Sequence, residues 1–148
     1  MVMAILKPKQ AYSHIATQYD KIYSSHKCEI ENEYIRTILK KHNIPDGQVL
    51  DLGCGTGNFL DWFPESIFHF EGVDISKEMI KVAEYKYPEG KFYVGDMVNK
   101  KFYNSEFDSI ISLFGSFSYC LKPEVVIHNS YKTLKKDGNF VIKPLTPK

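Results

Sequence analysis

Three glycines, Gly53, Gly55 and Gly57, alternate directly after the apolar run Val49-Leu50-Asp51-Leu52 and directly before Asn58-Phe59-Leu60. A strand that breaks into alternating glycines and resumes as a helix builds a cradle, because glycine lets the backbone turn sharply and lets a ligand approach where a Cβ would stand. The dinucleotide fingerprint G-x-G-x-x-G needs glycine at 58, and Asn58 holds that place. A nicotinamide-dependent oxidoreductase is disfavoured on that ground. Acids then close the next two apolar runs: Asp74 ends His69 to Asp74, and Asp96-Met97 follows Lys91 to Gly95. A carboxylate about twenty residues past such a loop, at the carboxyl end of a second strand, suits both hydroxyls of a ribose. Asp96 suits an exocyclic adenine amine, with Met97 packed on the ring. The chemistry is that of holding an adenosine.

Positioning these groups takes a frame, and the sequence alternates accordingly. Between Glu29 and about His42, Ile30, Tyr34, Ile35, Ile38 and Leu39 fall on one helical face. Asn43 to Gly47 stops that helix with Asn, Pro and Gly. Strands are expected at Gln48–Leu52, His69–Asp74, Lys91–Gly95, Phe107–Leu113 and Asn139–Lys143. Helices are expected from Asn58 to about Trp62 and from Lys77 to Tyr85, the latter capped by Ser76 with Met79, Ile80 and Ala83 inward. Pro123 opens a last helix with Val126, Ile127, Tyr131 and Leu134 on one face, and Asp137-Gly138 closes it. Alternation of this kind predicts an α/β fold with a doubly wound, mostly parallel sheet that binds its ligand beyond the carboxyl ends of its strands. The link from Asp96 to Glu106 has no helix. In an order 3-2-1-4 it crosses roughly 14 Å at about 4.8 Å per strand gap, and eleven extended residues reach up to about 36 Å, so the crossing is feasible.

Composition narrows the function classes. The 148 residues are 43% hydrophobic and 25% charged, enough for one domain with a sizeable core. Nineteen basic against eighteen acidic side chains argue against a nucleic-acid surface built on bulk charge. No apolar run approaches the roughly 20 residues of a membrane span. The first residues lack the pattern of a secretory signal, so a cytoplasmic location is expected. Cys28, Cys54 and Cys120 are odd in number and far apart, against a disulfide framework. The five histidines have no metal-ligand spacing, and His26-x-Cys28 reads as a turn; no metal is expected.

Val49 to Leu60, Gly72-Val73-Asp74-Ile75-Ser76, Gly95-Asp96-Met97 and Phe107 to Tyr119 resemble the successive motifs of class I S-adenosylmethionine-dependent methyltransferases. The resemblance implies a Rossmann-like core and S-adenosyl-L-methionine as the methyl donor. By position, it places Asp51 at the donor's methionine ammonium and the backbone of Gly53, Cys54, Gly55, Gly57 and Asn58 beneath its amino-acid and ribose portions. It places Asp74 on the ribose, Ile75 beside the adenine, Met79 among the donor contacts, and Asp96 with Met97 at the adenine. Leu113 and Phe114 would sit near the methionine end. Cys54 occupies a common loop position in the family and is not read as a nucleophile. Tyr19-Asp20-Lys21-Ile22-Tyr23 resembles the N-terminal lid of small-molecule methyltransferases, especially the sugar N-methyltransferase-like group. There the face of Tyr19 or Tyr23 would attract the sulfonium cation; an aromatic staple on the helix is the competing use.

Residues 1–45 are thus expected to form a lid and helix, and 46–148 the donor-binding core of one compact unit. Ser116, Phe117, Ser118 and Tyr119 are expected on the acceptor side, with a plain loop as the alternative. No residue is singled out as a catalytic base; His14, His128 and Tyr119 are the candidates. The family sheet runs 3-2-1-4-5-7-6. Only Pro144 to Lys148 follow strand five here, so the order expected is 3-2-1-4-5, with strands six and seven absent. Strand five is then an open edge, blunted by Pro144 and Pro147 or covered by a second copy of the chain. The function implied is methyl transfer to a small-molecule amine or hydroxyl, without nucleic-acid or membrane partners. The competing reading is a non-catalytic or truncated S-adenosylmethionine-binding module.

Overall fold

In a computed structural model, residues 10, 15–23 and 26–145 are described; His14 and Pro147 lie outside them, as do the side chains of Tyr23, His26 and Cys28. Five strands form the sheet: β1 (Val49–Leu52), β2 (Phe70–Asp74), β3 (Lys91–Val94), β4 (Phe107–Ser112) and β5 (Leu134–Ile142). Their order is β3-β2-β1-β4-β5 and every pairing is parallel. All four residues of β1 are buried, as a central parallel strand covered on both faces requires. Its register sets Asp51 beside Gly72 of β2 and Ile111 of β4, and Asp74 pairs with Val94 at the same sheet end.

Among the described residues five helices flank the strands: α1 (Tyr19–Tyr23), α2 (His26–Lys41), α3 (Asn58–Trp62), α4 (Lys77–Lys86) and α5 (Pro123–Thr133). Alternate strand residues divide the core into two layers. Val49, Phe70, Phe92 and Ile111 pack with Ile35 and Leu39 of α2, Phe59 and Leu60 of α3, and Ile80 and Ala83 of α4. Leu50, Leu52, Val73 and Ile110 face the other way, towards Phe102, Tyr103 and Val126 of α5. Phe59 stacks on Phe70 at 5.6 Å and tilts against Phe63 at 5.1 Å, which fixes the helix leaving the glycine loop.

The link without a helix crosses as its length allows. It makes one 3-10 turn, Lys100–Phe102, and buries Phe102 and Tyr103 in the second layer. The Tyr103 hydroxyl donates to the Met97 carbonyl at 2.7 Å and anchors the crossing.

Four expectations are corrected. The last helix ends at Thr133, and Leu134 already belongs to β5, paired with Phe107. Asp137, at φ 64°, and Gly138 lie where the register shifts between Phe107 and Ser109, so they form an irregularity inside the strand and not a helix stop. That helix also turns a different face inward. Val126, Asn129 and Ser130 are buried, whereas Ile127 and Tyr131, about 100° and 140° round from Val126 at 3.6 residues per turn, are exposed. Among the described side chains of α2 only Ile35 and Leu39 are buried in the core; Ile30 and Tyr34, the former about 140° away from Ile35, face solvent.

Ser66 is fully buried in the 3-10 turn Pro64–His69, and its hydroxyl donates to the Pro45 carbonyl at 2.7 Å. Ser66→Ala leaves that carbonyl without its donor. The expected cost is about 1–2 kcal/mol, read as a lower urea midpoint with an unchanged slope.

Candidate functional site

The carboxyl ends of β1, β2 and β4 meet at the glycine loop. Gly53, Gly55 and Gly57 all have positive φ, at 83°, 55° and 87°. The amides of Gly53 and Cys54 both donate to the Val73 carbonyl, at 2.7 and 3.0 Å, which folds the loop back over β2. A Cβ on Gly53 would collide with Ser116, whose hydroxyl donates to the Gly53 carbonyl at 3.1 Å. One on Gly55 would stand 4.0 Å from the Tyr19 ring. The loop is therefore closed in by β4's exit on one side and by α1 on another.

Asp51 lies beneath this loop, 3% exposed, and its Oδ1 has no hydrogen-bond partner among the described residues. A buried carboxylate oxygen without a donor is costly unless it is protonated or meets a cation. Burial, with the Asp74 charge adding to it, pushes the Asp51 carboxyl up to about 8. Asp74 has partners: its Oδ2 accepts from the Gly55 amide at 2.9 Å and its Oδ1 from the Ser76 amide at 2.8 Å. Burial raises its pKa, and backbone amides at Ser76, Gly55 and Ile75 oppose that rise. Ser76 caps α4 by accepting from the Met79 amide. Asp74 is thus left to join the loop to the end of β2.

The remaining predicted residues surround this centre unequally. Ile75 is exposed beside Asp74. The Asp96 carboxylate is exposed and accepts from the Val98 amide at 3.0 Å, so it forms a turn. The Met97 methyl approaches to 3.7 Å of where a Gly53 Cβ would stand. Leu113 is buried in the first layer. Phe114 is left-handed at φ 56° and meets Trp62 edge-on at 5.3 Å. Cys54 is buried, and desolvation holds its thiol well above the usual range, which leaves it protonated.

Tyr19 is only 7% exposed and packs with Ala16 and Met79 in a small cluster of its own. Tyr19 thus packs on Met79 of α4, and its ring also comes within 4.0 Å of where a Gly55 Cβ would stand. Of the acceptor-side stretch, Ser116–Tyr119 is a 3-10 turn: Ser116 is tied to Gly53, Ser118 accepts from the Leu145 amide, and Phe117 meets Phe140. Tyr119 is exposed there, while His128 is exposed on α5. Exposure is all that recommends either of them as a base.

Sequence reasoning passed over a polar cluster behind the loop. The fully buried Thr56 hydroxyl donates to Asp20 Oδ1 at 2.5 Å. Lys86 bridges Asp20 and Asp61 at 2.9 Å each, and the Tyr87 hydroxyl donates to Asp61. A hydroxyl has one proton, and Thr56 gives its own to Asp20. With its amide nitrogen turned inward, Asn58 has two protons to share among Asp20, Thr56 and Asp61, which lie within reach at 3.1, 3.0 and 3.2 Å. Asn58 thereby braces the loop from behind. Asp20 stood next to Tyr19 in the sequence, but nothing in the sequence linked it to Lys86.

The chain matches the methyltransferase domain family over residues 49–138. A Methanocaldococcus jannaschii protein, MJ1252, is 34% identical over 137 residues, covering 90% of this chain and 49% of that one. The demethylmenaquinone methyltransferase of Thermotoga maritima is 29% identical over 139 residues, covering 92% of this chain and 60% of the enzyme. Among solved structures, the sugar N-methyltransferase KedS8 of Streptoalloteichus is 26% identical with a TM-score of 0.69, covering 86% of this chain and 53% of that one. The chain spans about half the length of such relatives. The match runs from the first residue of β1, through the glycine loop and both acids, into β5. The chain belongs to the methyltransferase domain family.

Proposed function

We propose that this chain binds S-adenosyl-L-methionine at the glycine loop and directs its methyl group to a small-molecule amine or hydroxyl. The observation that carries the reading is the buried Asp51 oxygen, without a donor among the described residues, lying under a loop where a Cβ on Gly55 would meet nothing nearer than the Tyr19 ring at 4.0 Å. An α-ammonium supplies the missing partner, and backbone without side chains admits the rest of an adenosyl amino acid. In this reading Asp74 takes the ribose, Ile75 and Met97 take the adenine faces, and the region 1–45 acts as a lid over the core at 46–148. Support for the acceptor class is the similarity to a sugar N-methyltransferase.

When bound, the sulfonium supplies an activated methyl group with a good leaving group. The protein's part is then alignment and exclusion of water. Asp51 holds one end of the donor by charge, and Asp74 holds the sugar. Phe114, fixed in a left-handed conformation against Trp62, shapes the ground beyond β4 where the acceptor would lie. A base is required only for an acceptor that arrives protonated.

Calorimetry tests the reading. S-adenosylhomocysteine and S-adenosylmethionine are expected to bind at one site; no heat with either, beside tight binding of a nicotinamide dinucleotide, overturns it.

A further inference from the structure

We propose that Lys86 is a positioning residue: it latches the N-terminal segment to the back of the glycine loop and so couples that segment to donor binding. The inference rests on the donor-binding reading above. Lys86 stands in the last turn of α4, and its ammonium lies 2.9 Å from carboxylates of two other elements, Asp20 of α1 and Asp61 of α3. Its side chain is 22% exposed, against 41% and 38% for the two acids. The cation is the inner member, and without it two carboxylates face each other across the same space. That repulsion would push α1 away from α3.

The geometry ties this pairing to the loop at three further points. Thr56, the residue between Gly55 and Gly57, donates to the same Asp20 that Lys86 holds. Asn58, first residue of α3, donates to both acids with its amide nitrogen inward. The Tyr87 ring lies 3.2 Å from where a Gly57 Cβ would stand, while its hydroxyl donates to Asp61. Asp20 adjoins Tyr19, and the Tyr19 ring stands over Gly55. Closing the ion pairs therefore presses one face of α1 onto the loop whose other face is placed for the donor. A segment ordered by the latch and a loop ordered by the donor reinforce each other, since each lowers the entropy left for the other to remove. No atom of Lys86 needs to touch the donor.

The test compares the parent chain with Lys86→Met and Lys86→Arg, using S-adenosylhomocysteine as the probe. The expected result for Lys86→Met is about fivefold weaker binding, a modest change because the pairs are partly exposed. Amide exchange across 15–23 is expected to quicken, with the thermal midpoint little changed. Lys86→Arg restores both binding and protection. Parent affinity falls with added salt, which screens the pairs, whereas that of Lys86→Met does not fall, because salt screens the carboxylate repulsion left behind. Lys86→Met binding within twofold of a binding-competent parent overturns the latch. So does weakened binding that Lys86→Arg does not restore, because the role is then packing and not charge. A parent that binds no S-adenosylhomocysteine overturns the donor reading itself and the coupling with it, and that failure is visible before any variant is made.

Discussion

Asp74→Ala is expected to weaken S-adenosylhomocysteine binding by about two orders of magnitude. The carboxylate has two jobs at once. It is placed for the ribose hydroxyls, and hydrogen bonds to a charged group are worth about 1.5–3 kcal/mol each. It also accepts from the amides of Gly55 and Ser76, so its removal leaves one donor on the loop and one at the start of α4 without their acceptor in a part-buried site. The second loss lets the loop leave its bound shape and adds to the first. Asp74→Asn keeps the volume and one acceptor, and an intermediate loss is expected. Calorimetry on both variants, with circular dichroism to confirm the fold, reads the effect. Unaltered binding by Asp74→Ala would show that the ribose lies elsewhere.

Binding should also depend on pH through Asp51, with the affinity falling about tenfold per unit below pH 8. Burial raises the Asp51 pKa from 3.8 to about 8 in the donor-free protein. Below that value the carboxyl is protonated and cannot meet an ammonium as an ion, so each binding event must release a proton. Above it, affinity levels off for as long as the ligand's amine stays protonated. The sign for folding is opposite to that of an ordinary salt-bridged acid. The folded chain binds this proton more tightly than the unfolded chain does, so stability is lost as the pH rises from about 4 to about 8. A bound ammonium returns that loss. The rise in thermal midpoint caused by S-adenosylhomocysteine should therefore grow between pH 6 and pH 8. Asp51→Asn should flatten this dependence and weaken binding at pH 8. A pH-independent affinity in the parent would place the amine away from Asp51.

The Lys86 latch bears on both results. If the N-terminal segment and the loop order together, variants of Asp74 that loosen the loop will also loosen residues 15–23. Exchange protection there reports loop integrity as well as latch closure. Measuring it alongside affinity separates a lost contact with the ligand from a lost shape.

Much of the fold was legible because it is written locally. Parallel central strands are buried on both faces, so β1 and β4 read as short apolar runs, and alternating glycines mark where β1 stops. Asp74 ends β2 and Asp96 lies two residues past β3, so their place at one sheet edge follows once β2 and β3 pair in parallel. Helix faces were less legible. The apolar positions of α2 span about half the helix circumference, and the layer beneath takes only Ile35 and Leu39. In α5 the sequence offers Ile127 and Tyr131, yet Asn129 and Ser130 are buried, because Val126 sits in the second layer and the helix turns with it. The start of β5 was missed for a related reason: Asp137-Gly138 is turn chemistry in either setting, and only pairing with β4 makes it an irregularity within a strand.

The family resemblance supplied the strand order; the sequence by itself determined the alternation of strands and helices, the glycine loop at the end of β1, and Asp51, Asp74 and Asp96 as acids at successive strand ends. These depend on spacings of a few residues within strand–loop–helix units. Tertiary structure alone decided that Asp51 keeps an oxygen without a partner among the described residues, that Tyr19 is buried against Met79, and that Asp20, Thr56, Asp61 and Lys86 form one cluster. The contacts in that cluster join residues 66, 36 and 25 positions apart. No local pattern encodes such separations, because they are set by how α1 and α4 pack around the loop.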